Sequence, residues 1–257
     1  MRGLKALLDE HYAIKNNFNE ITLENPDPLL VVRKYVNDEF FEEISLICAL
    51  LSYGNVKQIV RILDSLDFSL LKTSVSQIQK QTFPFYRFQS SDDIKNLFIV
   101  FYQIINDKRI KALVFEGYAK NKNILEGIYL AINKISTMLE KSNLKTRGLE
   151  FLIGRVCTKL KGSSPLKRWN MYLRWMVRKD NLDFGRWEEI NKADLILPLD
   201  THTFKVSHKL KLLDRKSYDL YSALLITQSL KKFDASDPIK YDFALYRLGQ
   251  SQEYKKL

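Results

Sequence analysis

Cysteine is scarce in this chain: Cys48 and Cys157 are the only two among 257 residues. Two thiolates cannot by themselves hold an iron–sulfur cluster, and so few cysteines in a chain of this size point to a reducing compartment, so a cytoplasmic location is expected. Glycine (9) and proline (6) are sparse as well. No Asn-Gly or Asp-Gly pair separates alternating apolar runs, so nothing in the sequence calls for a β-sheet. Long apolar runs are also missing. Ile44 to Leu51 is among the longest and stops at Ser52, far short of the ~20 residues that cross a bilayer. The N-terminal stretch meets Asp9 and Glu10 almost at once and lacks the apolar core of a signal peptide. No membrane partner is expected.

What is present is a helical pattern carried by 46% apolar residues, too many for a disordered chain. Apolar side chains recur at three- and four-residue steps, as in Phe40, Ile44, Ile47 and Leu51, and again in Ile124, Ile128, Ile132, Ile135 and Leu139. Glu24 to Pro28, with two prolines, interrupts the N-terminal helix. Ser90 to Asp93 reads as the cap of a helix near Ile94. Asp237-Pro238 reads as a cap and first turn, and the helix it launches is expected to close at Gly249. The fold class expected is all-α.

The formal net charge is +11, and it is unevenly placed. Residues 1–140 carry 17 Lys/Arg against 17 Asp/Glu, residues 141–180 carry 11 against 2, and residues 181–257 carry 13 against 11. A basic block of this density is either a solvated cationic face or the footprint of a polyanion. Within it lies Gly162-Ser163-Ser164-Pro165, a turn in which Gly162 permits an unusual backbone angle, Ser163 or Ser164 can cap, and Pro165 suits a first helical turn. Backbone N–H groups at such a helix start can receive a phosphate, although an ordinary capped turn has the same composition. In the helix that follows, Lys167, Arg174 and Arg178 fall within roughly 20° of one line, beside a buried stripe of Leu166, Trp169, Leu173 and Met176 or Val177. Lys167 lies next to Arg168 at the positive end of the helix dipole, which disfavours a further positive charge on its amine. Farther on, Asp200 is placed to cap a helix through Thr201-His202, and an N-capping carboxylate should stay ionised. His202 and His208 are six apart on one helix and diverge, so no metal site is expected; His202 is read as a backbone or phosphate contact.

Two of these fragments resemble the active centre of the helix-hairpin-helix DNA glycosylases: the turn feeding the helix of Lys167, and Leu199-Asp-Thr-His-Thr-Phe-Lys-Val206, which is similar to the Val-Asp-Thr-His-x-x-Arg-Val signature of endonuclease III-like members. Glu43 to Asn55 resembles the first barrel helix of that superfamily and the loop that follows it. The chain as a whole resembles a bacterial family of unassigned function through Lys167 to Arg178, Pro198 to His202 and Asp237 to Leu245. The first resemblance implies a two-lobed all-α fold with a central cleft and without an iron–sulfur cluster: a six-helix bundle over residues 40–195, and a second helical lobe from 1–39 with 196–257. It implies that Lys167 attacks the sugar of a damaged nucleotide while Asp200 stabilises the developing charge. Gly162, Ser163, Ser164, Arg168, Arg174, Arg178 and His202 would contact DNA, and Tyr53 or Asn55 would fill the gap left by a flipped base. The partner implied is double-stranded DNA with a damaged base or abasic site, bound by a monomer without cofactor. A non-catalytic nucleic-acid-binding protein on the same scaffold, or an enzyme acting on RNA, is the alternative. The sequence departs from the superfamily in its hairpin, which normally reads Pro-Gly-x-Gly, and in the 33 residues between Lys167 and Asp200, a spacing closer to archaeal 8-oxoguanine glycosylases.

Overall fold

The computed structural model describes residues 2–256, and among them the chain is all-α. The helices are α1 (Arg2–Lys15), α2 (Leu29–Val32), α3 (Phe41–Leu51), α4 (Val56–Asp64), α5 (Val75–Lys80), α6 (Ser91–Asp107) and α7 (Ile110–Asn121). They continue with α8 (Ile124–Lys141), α9 (Arg147–Ile153), α10 (Lys167–Val177), α11 (Thr201–Lys209), α12 (Leu220–Lys231) and α13 (Asp242–Ser251). No helix among the described residues is long and apolar enough to cross a membrane. The chain divides into two compact units, Ile21–Val156 and Met1–Glu20 with Cys157–Leu257. The expected lobes were 40–195 and 1–39 with 196–257; here the helix of Lys167 belongs with the C-terminal helices.

In the unit Ile21–Val156, α3 is buried along nearly its whole length. Its one buried acid, Glu43, is held by Arg109, whose Nε and Nη2 each donate to one carboxylate oxygen, at 2.9 and 2.6 Å. The Ser90 cap forms as the sequence indicates, a reciprocal box in which Ser90 Oγ accepts the Asp93 N–H and Asp93 accepts the Ser90 N–H. Asp93 also receives the Thr146 hydroxyl, which fixes the start of α9.

In the other unit the core is aromatic. Trp169, Tyr172 and Trp175 of α10 are fully buried, and Trp187 stacks edge-on against Tyr172 at 5.4 Å. The segment 180–194 packs back on α10: Phe184 N–H bonds the Trp175 carbonyl at 2.8 Å and Trp187 N–H bonds that of Met176 at 2.9 Å. It is an anchored strap. The last helix differs from expectation at both its start and its end. Residues Pro238–Tyr241 form a 3-10 turn without a side-chain cap, and α13 begins at Asp242 and runs past Gly249 to Ser251. Gly249 does not end the helix. It lies against α11, where an added Cβ would meet His202 Cβ at 2.7 Å.

Candidate functional site

α10 begins at Lys167 because Leu166 takes a left-handed conformation (φ 50°), which cannot continue a helix. Pro165 therefore precedes the helix and is not in its first turn. Lys167 is half-buried, with Nζ 3.4 Å from Met171 Sδ one turn along, and Arg168 beside it is half-buried too. Asp200 caps α11, its Oδ1 accepting the Thr203 N–H at 2.7 Å. Nearby, Tyr218 donates its hydroxyl to the Leu199 carbonyl at 2.7 Å; burial and then the charge of Asp200 push this phenol upward. The buried Asp242 lies in the same unit, paired with Arg174. Burial pushes the Asp242 carboxyl up, the charge and hydrogen bond of Arg174 pull it down, and the charges of Asp200 and Lys167 act on it in opposite directions. Both candidate residues, and the buried Asp242, lie in one unit. His202, at the first turn of α11, packs edge-on against Tyr246 of α13 at 5.8 Å.

Arg174 and Arg178 were expected on a DNA-facing line; the structure buries them at 4% and 3% exposure. Arg174 Nε bonds Asp183 at 3.1 Å and its Nη1 bonds Asp242. Arg178 bonds Asp237 at 2.8 Å, Asp180 at 2.8 Å, and Asp183. The line of positive charge is real, but four aspartates occupy it from within the fold, and Asp237 serves Arg178 instead of capping a helix. Burial raises Asp180, but the Arg178 charge and the N–H groups of Asp183 and Leu182 outweigh it and hold this carboxyl low. Removing one partner of such a buried pair costs about 3–5 kcal/mol, because the remaining charges stay desolvated. The double substitution Arg174→Gln, Arg178→Gln is therefore expected to lower the thermal midpoint sharply while leaving the salt dependence of any nucleic-acid binding unchanged. An unaltered melting curve with a flattened salt dependence would return both residues to the surface.

The Gly162 turn has no helix directly before it, since α9 ends at Ile153. Gly162 keeps the positive φ (77°) that its residue type allows. Its N–H, the group read as a phosphate donor, is held by Asp219 Oδ2 at 2.9 Å. Ser163 presents its carbonyl to the Leu220 N–H at 3.0 Å, and the Ser164 hydroxyl accepts the Leu166 N–H at 3.3 Å without capping α10. The turn is thus docked on the start of α12. Asp219, 2% exposed, caps that helix and pairs with Arg215. Burial pushes its carboxyl up, but Arg215 and the N–H groups of Gly162 and Ser222 more than offset this and lower it to about 2. A carboxyl depressed on folding stabilises above its unfolded value near 3.8 and loses that contribution as pH falls toward 2. Asp219→Asn is expected to cost about 2 kcal/mol at pH 7 and to flatten the acid limb of stability between pH 4 and 2. Denaturation across that pH range checks it; a parallel displacement of the curve at every pH would show that the carboxylate charge is not the source.

The unit Ile21–Val156 carries the remaining candidates. Asn55 caps α4, accepting the Lys57 N–H at 3.0 Å, so its side chain is already engaged. Tyr53 bonds Gln89 through its hydroxyl, and its ring lies 5.2 Å from Tyr86, 6.1 Å from Phe88 and 5.0 Å from Phe151. Neither is an unengaged wedge. The exposed members of this cluster are Phe88 at 66% and Phe151 at 44%, with Phe85 at 69% on the same turn and the Arg87 guanidinium over the rings of Tyr53 and Phe88 at 5.5 and 5.6 Å. Sequence reasoning passed over these residues, although Phe83 to Phe88 interleaves aromatics with an arginine in a way that marks a stacking surface.

No curated protein and no solved structure matches the chain. Residues 27–251 match the family described as Protein of unknown function (DUF2400), and the chain belongs to that family.

Proposed function

We propose that the protein is a DNA base-excision glycosylase with abasic-site lyase chemistry. The observation that carries this reading is that Lys167, at a helix start, and Asp200, at a helix cap, belong to one compact unit. In this chemistry the bond between base and sugar breaks and the base leaves with the electron pair and is protonated. Asp200 lies opposite the positive charge left on the sugar. The Lys167 amine adds to the anomeric carbon and loses a proton; ring opening then gives an iminium, from which loss of a neighbouring proton expels the 3′ phosphate. A base must leave the duplex to reach such a site. The exposed rings of Phe85 and Phe88, with Arg87, offer a platform on which unpaired bases stack, worth about 1–3 kcal/mol per base.

A second reading, nucleic-acid binding without catalysis, is favoured by one observation: the Gly162 amide is spent on Asp219, so the turn does not offer that donor to a phosphate. Borohydride trapping against a panel of abasic and damaged duplexes separates the two. The catalytic reading expects a covalent adduct on at least one duplex; binding to all of them with trapping on none would leave the non-catalytic reading.

A further inference from the structure

Three hydrogen bonds pin the loop 157–166 to the start of α12. Gly162 N–H bonds Asp219 at 2.9 Å, Leu220 N–H bonds the Ser163 carbonyl at 3.0 Å, and Tyr221 N–H bonds the Leu160 carbonyl at 3.3 Å. The loop 211–219, which joins α11 to α12, is held beside it by the same bonds. The Tyr221 ring touches both loops: the Lys161 amine lies 5.2 Å from its centroid and the Arg215 guanidinium 5.5 Å. Tyr218 ties the second loop to α11, with its ring 5.5 Å from Phe204, which lies 4.7 Å from His208. Two loops distant in sequence and one helix are thus joined by an unbroken run of contacts within one compact unit.

These segments carry charge of one sign. Lys159 and Lys161 of the first loop, Lys205 and Lys209 of α11, and Lys211 and Lys216 of the second loop are exposed, against a single exposed acid, Asp214. Among the described residues none of the six lysines is paired with a carboxylate. Arg215 differs from them: it is half-buried and Asp219 neutralises it. Lys205 and Lys209 stand one helical turn apart, a spacing at which like charges repel. Charge counted along the sequence hides this surface, because residues 181–257 hold 13 cations against 11 acids. Several of those acids, among them Asp183, Asp219, Asp237 and Asp242, are buried inside the fold and leave the lysines outside uncompensated.

We propose that the loop 157–166, α11 and the loop 211–219 together form the footprint of a nucleic-acid phosphate backbone, gripped by lysine side chains and not by the amides of the Gly162 turn. This deepens the reading above and rests on nucleic acid as the partner. The surface adjoins both residues of the proposed chemistry: the first loop runs into α10 at Lys167, and Tyr218 donates to the carbonyl of Leu199, the residue before Asp200. The bond from Gly162 to Asp219 gains a role here, since it holds two lysine-bearing loops side by side. A lipid surface is the less suited polyanion. α11 exposes Thr201, Lys205 and Lys209, with no apolar stripe to enter an acyl layer.

The test is the salt dependence of binding of the full chain to an undamaged, fluorescently labelled duplex. Lys159→Gln with Lys161→Gln, and separately Lys211→Gln with Lys216→Gln, are each expected to flatten the slope of log affinity against log salt by about 2, and all four together by about 4. Thermal midpoints should stay near the wild-type value, because none of the four lysines has an ion pair to lose. Lys120→Gln with Lys232→Gln removes the same charge from exposed positions elsewhere and should leave the slope unchanged. An equal loss in that control pair would reduce the effect to net charge, and an unmoved slope in both loop pairs would place the footprint elsewhere; either result overturns the proposal. So does a wild type that binds no duplex at low salt, or one that instead binds vesicles of phosphatidylserine and phosphatidylcholine through these lysines. Because the duplex is undamaged, the outcome is separate from the catalytic reading. Failure of that reading shows as wild-type protein that binds through the loop lysines yet is never trapped by borohydride.

Discussion

Lys167→Ala is expected to abolish the borohydride-trappable adduct on abasic DNA while duplex binding persists. The side chain is half-buried at the first turn of α10 and contacts Met171 through its amine, so truncation removes the nucleophile with little loss of packing. The neighbouring amines, Lys159, Lys161 and Lys179, are exposed and lie outside the helix that faces Asp242. Each supplies an alternative nucleophile if the assignment is wrong. Gel analysis of the trapped complex measures it directly: an adduct at wild-type level in Lys167→Ala identifies one of those amines instead, and peptide mapping of the adduct names which. Binding should survive because most of the exposed cations of residues 141–168 are untouched, and phosphate contacts contribute to affinity roughly one counterion at a time.

How much of this was legible in the sequence depended on the range over which each interaction acts. The Ser90–Asp93 box is complete within four residues, and the apolar stripes of α3 and α8 are periodic, so local reading found them. The all-α class follows from the same local signals. The arginines of α10 show where local reading stops. A helical wheel put Lys167, Arg174 and Arg178 on one line correctly, but it carries no information about what lies opposite. The counter-ions Asp237 and Asp242 come from 59 and 68 residues later. Charge counted in windows of sequence placed an excess in residues 141–180 without showing that its two arginines are neutralised by acids outside or at the edge of the window. Gly162 and Gly249 were both read as glycines of turns and ends. One does hold a positive φ, but its amide is bound 57 residues away by Asp219; the other lies within a helix because another helix approaches it closely. The expected wedge residues Tyr53 and Asn55 were placed correctly in a loop, yet the same loop needs them for its own capping and ring packing.

Asp200→Asn is expected to lower base excision by about a hundredfold to a thousandfold, the scale on which a preorganised group facing developing charge contributes, with little loss of stability. The separation of the two effects comes from the geometry of the cap. Asp200 Oδ1 accepts a single backbone N–H, that of Thr203, at 2.7 Å, and an asparagine oxygen accepts the same bond. Asparagine and aspartate cap helices about equally well, so the thermal midpoint should stay close to the wild-type value. What the amide cannot supply is the negative charge opposite a cationic sugar. Asp200→Ala removes both, and should add to the same catalytic loss a stability cost of about 1 kcal/mol. Single-turnover excision on a damaged duplex, measured beside thermal unfolding for both variants, therefore separates cap from charge. Near-normal excision by Asp200→Asn would leave the residue as a helix cap and would remove the aspartate from the proposed chemistry, whatever Lys167 does. Equal excision defects in the two variants, with a stability loss confined to alanine, would assign the catalytic part to the charge alone.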